Sequence, residues 1–344
     1  MTRKITSLDV AERAGVSQSA VSRVFTPGAS VSKKMADKVR KAADELGYRP
    51  NVLARSLITG RTRIIGLVVA YLDNMFYPDA LERLSNALQA EGYHILVFMA
   101  RGRGAEADRV IEELLDYQVD GIVAASVGMS DELASRCEKA GIPVVLFNRE
   151  MEDPRFSAVV ADNKTGGAIA ASALMAGGHR RIAHISGWLG ASTGRDRADG
   201  FVGALEASGQ KPIWVDDGAY SRDTCAAIVR ARFADSATRP DALFVGNDHM
   251  AFAALDVLRS ELGLSVPDDV SVIGFDDVAV AAWPVYDLTT LRQPIARMVD
   301  ATVAALLGRI EQGRAPERQV LETRLVRRSS AKLPEGWTDD DAGI

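Results

Sequence analysis

Sulfur is scarce in this chain. Only two cysteines, Cys137 and Cys225, occur in 344 residues, each alone in a segment of helical pattern. That excludes a disulfide scaffold and a thiolate metal site, and both are read as buried free thiols. Aromatic residues make up 6% and histidines number four; His179 and His184 flank a strand in GGHRRIAHI and read as packing residues. No apolar run approaches the roughly 18 residues needed to span a bilayer. The stretch MTRKITSLDV is positive but has no apolar segment of the kind that directs export, so a cytoplasmic location is expected. No G-x-G-x-x-G follows the first apolar strand, and no P-loop or H-E-x-x-H occurs. Adjacent Asp276 and Asp277 at a strand end point different ways, which argues against a metal. No catalytic residue, metal ligand or cofactor is assigned, and an enzyme is not expected.

The charge that is present is unevenly spread. Residues 1–63 hold 13 Lys/Arg against 5 Asp/Glu, a net of +8; the remainder holds 28 against 41, a net of −13. A basic head on an acidic body points to a polyanionic partner for the head alone.

The head has its own helical grammar. Leu8, Val10, Ala11 and Ala14 recur at helical spacing until Gly15 breaks the helix, and Ser17 then caps a second one with Ala20, Val21 and Val24 inward. Ala11 is small where the two helices cross. This is helix-turn-helix spacing. Gln18, Ser19, Ser22 and Arg23 face outward near the start of the second helix, where Arg suits guanine and Gln adenine in a major groove; Ser17 and Ser32 are placed to hold phosphates. A third helix starts at Ser32, carries Met35, Val39, Ala42 and Leu46, and stops at Gly47. From Pro50 a short segment containing Asn51, Ala54 and Leu57 has helical potential but is too small to fold alone.

From Ile64 short apolar runs alternate with helical segments. IIGLVVAYL, YHILVFMA, GIVAAS and PVVLFN make one series; RIAHISG, IWVDD, ALFVGN and VSVIGF make a second. The expected fold class is an N-terminal all-α helix-turn-helix headpiece followed by an α/β core of two doubly wound parallel-sheet lobes. A late helix near 295–311 and LETRLVRR are expected to cross between the lobes, and the tail to fray. Ligands sit at the carboxyl ends of such strands. Those ends supply Asp73, Asn74, Phe76, Tyr77, Ser126, Asn148 and Arg149 from the first series. The second supplies Thr193, Arg195, Arg197, Tyr220, Asn247, Asp248, Asp276 and Asp277, with Gln293 nearby in LTTLRQP. Rings beside carboxylate, amide and guanidinium groups suit a hydroxyl-rich small molecule. Arg195 and Arg197 have the alternative of pairing with an acid between the lobes, and Asp248 and Asp277 that of capping helices.

SLDVAERAGVSQSAVSRVF followed by VSKKMADKVRKAADELGYRPNVLARSL resembles the headpiece and hinge of the lactose-repressor/galactose-repressor (LacI/GalR) family. In the body, VVADNKTGG, GHRRIAHISG, RDRADGF, VGNDHMA, VSVIGFDD and LTTLRQP resemble the same family, and its fold is that of the periplasmic sugar-binding proteins. The resemblance implies that Gln18, Ser19 and Arg23 read operator bases. It also implies that paired hinge helices enter the minor groove with Leu57 as a wedge. For the effector it implies Arg197, Asn247 and Asp276, with Tyr220 stacking and Asn148 near a ligand hydroxyl. Asn148 departs from the commoner Asp. The expected division is a head over 1–49, a hinge helix and linker over 50–63, a two-lobed core over 64–330 and a polar tail over 331–344. The function implied is a homodimeric transcriptional repressor on a near-palindromic operator, set by a sugar, sugar acid or sugar phosphate. Co-repression by a purine-like ligand or protein partner, and a solute-binding module without regulation, are the alternatives.

Overall fold

A computed structural model describes residues 5–26, 29–49, 61–100 and 105–342. Asn51, Ala54 and Leu57 lie outside the described residues. The chain divides into two compact units, Met1–Arg63 and Ile64–Ile344.

Three helices make the first unit: α1 (Ser7–Ala14), α2 (Gln18–Val24) and α3 (Lys33–Leu46). Each start is chemically marked. The Thr6 N–H donates to Asp9 Oδ2 at 2.7 Å, and the hydroxyls of Ser17 and Ser32 accept the N–H groups of Ala20 and Met35. Gly15 at φ 60° and Gly47 at φ 65° end α1 and α3 in the left-handed conformation that glycine adopts without a Cβ clash. Val10, Ala11, Ala14, Val21, Val39, Ala42 and Ala43 are buried together, with Phe25 and Tyr48 closing the edge. Two residues of the expected apolar stripes turn outward instead: Leu8 is 55% exposed and Met35 37%. Three short helices cannot enclose every apolar position on their inner faces.

The second unit holds two six-stranded sheets. The first comprises β1 (Ile64–Val69), β2 (His94–Met99), β3 (Gly121–Ala125), β4 (Val144–Phe147), β5 (Ser157–Ala161) and β11 (Arg318–Leu321), in the order β11-β5-β4-β3-β1-β2 with every neighbour parallel. The second comprises β6 (Ile182–Ser186), β7 (Val215–Asp217), β8 (Ala242–Val245), β9 (Ser271–Asp276), β10 (Thr289–Arg292) and β12 (Arg324–Val326), in the order β12-β10-β9-β8-β6-β7. Only the β10–β12 pair is antiparallel. Helices cover both sheets: α4 (Phe76–Ala90), α5 (Ala105–Asp116), α6 (Asp131–Lys139), α7 (Asn163–Ala176), α8 (Ser192–Ala207), α9 (Arg222–Phe233), α10 (Asp248–Asp256) and α11 (Ile295–Gln312). The central strands are buried along their lengths, which is why they read as unbroken apolar runs.

The chain passes between sheets three times: after β5, after β10 and between β11 and β12. On its return α11 packs on the first sheet, where Arg309 Nη1 donates to the Val144 carbonyl at 2.9 Å. In the second lobe, side chains at Gly167 and Gly200 would strike the backbone of Arg197 and Lys164, so glycine alone lets α7 and α8 approach this closely. The segment after 330 does not fray as expected. Lys332 N–H donates to Ser271 Oγ at 2.9 Å, and Leu333 and Trp337 pack on the cluster containing Phe201 and Phe275. Two apolar side chains four residues apart suffice to fasten an otherwise polar tail. Both cysteines are free and buried, and burial pushes the thiols up to about 11 for Cys137 and about 12 for Cys225.

Candidate functional site

Strand order reverses beside β1 in one sheet and β6 in the other, and at such switch points the carboxyl-end loops part to leave a crevice. A cleft of about 380 Å³, counting its open mouth, lies there between the lobes. Tyr71, Asp73, Asn74, Tyr77, Asn148 and Arg149 line it from the first lobe; Thr193, Arg197, Tyr220, Asn247, His249 and Asp276 line it from the second.

Arg197 is the anchor. Its Nε donates to Asn163 Oδ1 at 2.9 Å, its Nη1 donates to the Gly246 carbonyl at 2.6 Å, and its guanidinium lies over the Phe275 ring at 3.6 Å. Nη1 also stands 3.6 Å from Asp276 Oδ1, with both side chains buried. Arg197 therefore pairs with an acid and lines the cleft at once, so the two readings of this residue are compatible. Asp276 is further held by Gln293 Nε2 at 2.7 Å and by the Asn74 side chain from the opposite lobe. Behind it sits a second buried carboxylate, Asp248, which accepts the Thr290 hydroxyl at 2.5 Å and the Val278 N–H at 3.0 Å. Burial pushes both carboxyls above the ordinary value of 3.8, and the Asp276 charge raises Asp248 further. Asp248 thus leads its helix behind the cleft, while the side chain of Asn247 caps that helix by accepting the Met250 N–H at 3.0 Å.

The first lobe offers donors and orphans. Asn148 Nδ2 donates to the Tyr77 hydroxyl at 3.0 Å and to Ser126 Oγ at 3.3 Å, and those two hydroxyls bond each other. Asn148 Oδ1 and Arg149 Nε are buried without a hydrogen-bond partner. Unpaired buried polar atoms cost roughly 1–3 kcal/mol each, so two at one cleft mark places for a ligand's hydroxyl groups. Ser126, Asn148, Tyr220, Asp276 and Asp277 all have φ between 56° and 132°. Such backbone costs on the order of 1–3 kcal/mol per residue, and its concentration at these strand ends is a mark of a functional site.

Not every expected residue reaches the cleft. Phe76 turns into the core and stacks on Phe147 at 6.1 Å, because consecutive helical side chains diverge and Tyr77 takes the cleft. Ser126 stands behind Tyr77, and Gln293 behind Asp276. Arg195 is exposed and Asp277 is consumed by Arg292 at 2.5 Å and Arg328 at 2.6 Å. His184 packs in a three-ring cluster with Phe201 and Phe244, and burial lowers it to about 4, as suits a packing residue. Tyr71 and His249 were missed, although each follows directly on a strand end or a residue already singled out. The run Gly190–Gly194 has the G-x-S-x-G spacing of a nucleophile turn. The Ser192 hydroxyl there accepts the Glu150 N–H at 3.1 Å, joining the two lobes.

In the head, Gln18, Ser19, Ser22 and Arg23 are all exposed on one short helix. Gln18 Nε2 donates to Ser7 Oγ at 2.9 Å and Arg23 Nε to the Ser19 carbonyl at 3.4 Å, so both are aligned on the surface. Ser17 and Ser32 spend their hydroxyls as helix caps. Among the described residues no group of His, Cys, Asp or Glu is arranged to hold a metal, and no helix is long and apolar enough to cross a membrane.

A helix-turn-helix unit joined to a two-lobed ligand cleft defines an effector-responsive DNA-binding transcription regulator. Residues 6–51 match the model for bacterial regulatory proteins of the lacI family, and residues 171–331 match the periplasmic binding protein-like domain. The chain is 36% identical over 331 residues to the transcriptional regulator CelR of Thermobifida fusca, covering 93% of this chain and 96% of that protein. It is 32% identical to the transcriptional repressor PurR of Vibrio parahaemolyticus, covering 94% and 98%. Among solved structures, a CelR–cellobiose complex shares 34% identity with a TM-score of 0.72, covering 95% and 100%. A lac repressor dimer bound to operator and the anti-inducer ONPF shares 27% with a TM-score of 0.86, covering 96% and 100%. The chain belongs to the LacI family.

Proposed function

We propose that this regulator is a repressor that binds a near-palindromic operator as a homodimer in the bacterial cytoplasm, at the nucleoid, and that a carbohydrate in the cleft sets its operator affinity. The observation that carries this reading is the Arg197–Asp276 pair in a cleft where two buried polar atoms, Asn148 Oδ1 and Arg149 Nε, lack partners. A ring bearing several hydroxyls satisfies such a set, and the relatives the chain resembles are transcription regulators. The lac repressor dimer on its operator and the CelR–cellobiose complex support the partners by analogy.

The head over residues 1–49 reads DNA through Gln18, Ser19, Ser22 and Arg23. The linker over 50–63, with Asn51, Ala54 and Leu57, transmits the state of the core over 64–330. Closure of the lobes on a ligand shifts the linker, and linkage requires that an effector weakening operator binding be itself bound more weakly by the operator complex, by the same factor. A purine-like co-repressor is less well served. It calls for an aromatic slot, and the Arg149 guanidinium already lies 5.8 Å from the Tyr71 ring and 5.4 Å from the Tyr220 ring.

The test is thermal unfolding of the full chain with sugars, sugar acids, sugar phosphates and purines. A ligand present at 100 times its Kd adds about 2.7 kcal/mol, read at about 2–4 °C per kcal/mol. Stabilisation by a sugar class supports the reading; stabilisation by purines alone overturns it.

A further inference from the structure

Of the outward residues on α2, one is tied to a different helix. Gln18 Nε2 donates to Ser7 Oγ at 2.9 Å, across 11 positions of sequence. Ser19 and Arg23 are held closer to home: Ser19 Oγ lies 3.0 Å from Ser17 Oγ, and Arg23 Nε donates to the Ser19 carbonyl at 3.4 Å. Ser7 is available to Gln18 because its neighbour does the capping. The Thr6 N–H and hydroxyl both donate to Asp9 Oδ2 at 2.7 Å, so the start of α1 makes no demand on the Ser7 side chain.

Building on the operator reading, we infer that Ser7 is a specificity-determining residue that acts through Gln18, holding its amide so that the head prefers adenine to guanine at the base pair Gln18 meets. The reasoning counts donors. A glutamine amide has two N–H donors on its nitrogen and one acceptor oxygen. Left free, it can turn its nitrogen towards guanine, whose major-groove edge shows two acceptors, N7 and O6. It can equally present nitrogen and oxygen together to adenine, whose edge shows the N7 acceptor beside the N6 donor. With one N–H spent on Ser7, the Gln18 amide keeps one donor and one acceptor. That set complements adenine. Against guanine it brings Oε1 up to O6, two acceptors with no hydrogen between them.

Position adds to this choice. Ser7 is half-buried and Gln18 exposed, so the bond fastens a long surface side chain to a packed helix. A side chain already fastened gives up less rotamer freedom when it docks, which favours the one base it fits. Neither neighbour can replace the serine. Thr6 is committed to Asp9, and Leu8, 55% exposed, has no polar side-chain atom. Ser7 is thus a positioning residue: the base contact belongs to Gln18, and the choice of base to the pair.

The experiment is selection from randomised duplex DNA with the full chain, followed by affinity measurements on single-base-pair variants of the selected duplex. Gln18→Ala identifies the pair that Gln18 reads, as the one whose preference it removes. At that pair the unaltered chain should favour A·T over G·C at least about fivefold, and 7-deazaadenine, which lacks N7, should remove the advantage. Ser7→Ala should bring the ratio below about twofold, and Ser7→Thr, which keeps the hydroxyl, should retain it. Preferences at the other pairs and affinity for unrelated DNA should be the same in all three proteins, which shows that the variants fold. G·C favoured at that pair overturns the inference, being what the reversed bond, Ser7 donating to Oε1, selects. Tolerance of 7-deazaadenine, or a Gln18→Ala variant that loses no preference, overturns it as well. An unchanged ratio in Ser7→Ala, or a loss spread evenly over every pair, overturns the positioning role and leaves the operator reading standing. Selection of no sequence at all takes down the operator reading itself.

Discussion

Arg197 and Asp276 are paired at 3.6 Å with 3% and 4% of their side chains exposed, and Arg197 is the cation that lowers Asp276 against the effect of burial. Removing one partner of such a pair leaves the other buried and uncompensated, which typically costs about 3–5 kcal/mol. Arg197→Ala should therefore lower the unfolding temperature and abolish the effector response, while the separately folded head keeps its operator affinity. A normal effector response in a gel-shift titration would remove Arg197 from the site.

The two carboxyls behind the cleft give a pH prediction. Both are raised above 3.8 in the folded chain, so between 3.8 and about 8, the raised value for Asp248, the folded state holds more protons than the unfolded state. Their contribution to stability is then fully present at low pH and is lost as pH rises through that window. Asp248→Asn preserves both hydrogen bonds, accepting from Val278 N–H and donating to the Thr290 hydroxyl. Denaturant titrations from pH 5 to 8 should show a flatter pH profile for this variant; an unchanged slope would mean that Asp248 is ionised throughout.

Gly187 sets the position of Tyr220. A Cβ at Gly187 would overlap the Tyr220 ring, whose hydroxyl donates to Thr193 Oγ1 at 2.8 Å. Overpacking of this kind costs about 1–3 kcal/mol or displaces the ring. Gly187→Ala should weaken effector binding about tenfold or more, with operator binding in the absence of effector unchanged. Unaltered effector affinity would show that Tyr220 does not contact the ligand.

For the head, operator affinity should fall with salt at about 0.9 log units per log unit for each phosphate neutralised, several units in total. Arg23→Ala should cost about 1–3 kcal/mol on the specific operator and less on unrelated DNA. Equal losses on both would reassign Arg23 from bases to phosphates. A salt-independent affinity would end the DNA reading of the basic head.

The head was legible because its signals are local. Ser17, Gly15, Ser32 and Gly47 act within a few residues of themselves, and each is found at the helix end its chemistry marks. Central strands were legible because burial on both faces demands unbroken apolar runs. The strands β5, β10, β11 and β12 were not read as such. They have five residues or fewer, and their pairing depends on partners far away in the chain, as when Arg318 aligns with Ala158. The cleft was half legible. Strand-end position found Asn148, Arg197, Tyr220, Asn247 and Asp276, yet it could not tell which of two adjacent aromatics turns inward. Nor could it foresee that Asp277 would be neutralised by Arg292 and Arg328, whose approach is a matter of tertiary structure.

The triple passage between the sheets bears on how this protein is made. The amino-terminal lobe receives its edge strand β11 and its covering helix α11 only from residues after 294, and α11 contributes Met298, Leu306 and their neighbours to the apolar cluster shared by both lobes. On the ribosome the head can close its small core as soon as α3 has emerged. The lobe that follows it stands with an open edge until β11, residues Arg318–Leu321 of 344, has been synthesised, past nine-tenths of the chain. A message cut short near codon 290 thus yields a nascent chain with a finished head and two unfinished sheets, able to touch DNA but unable to answer a ligand.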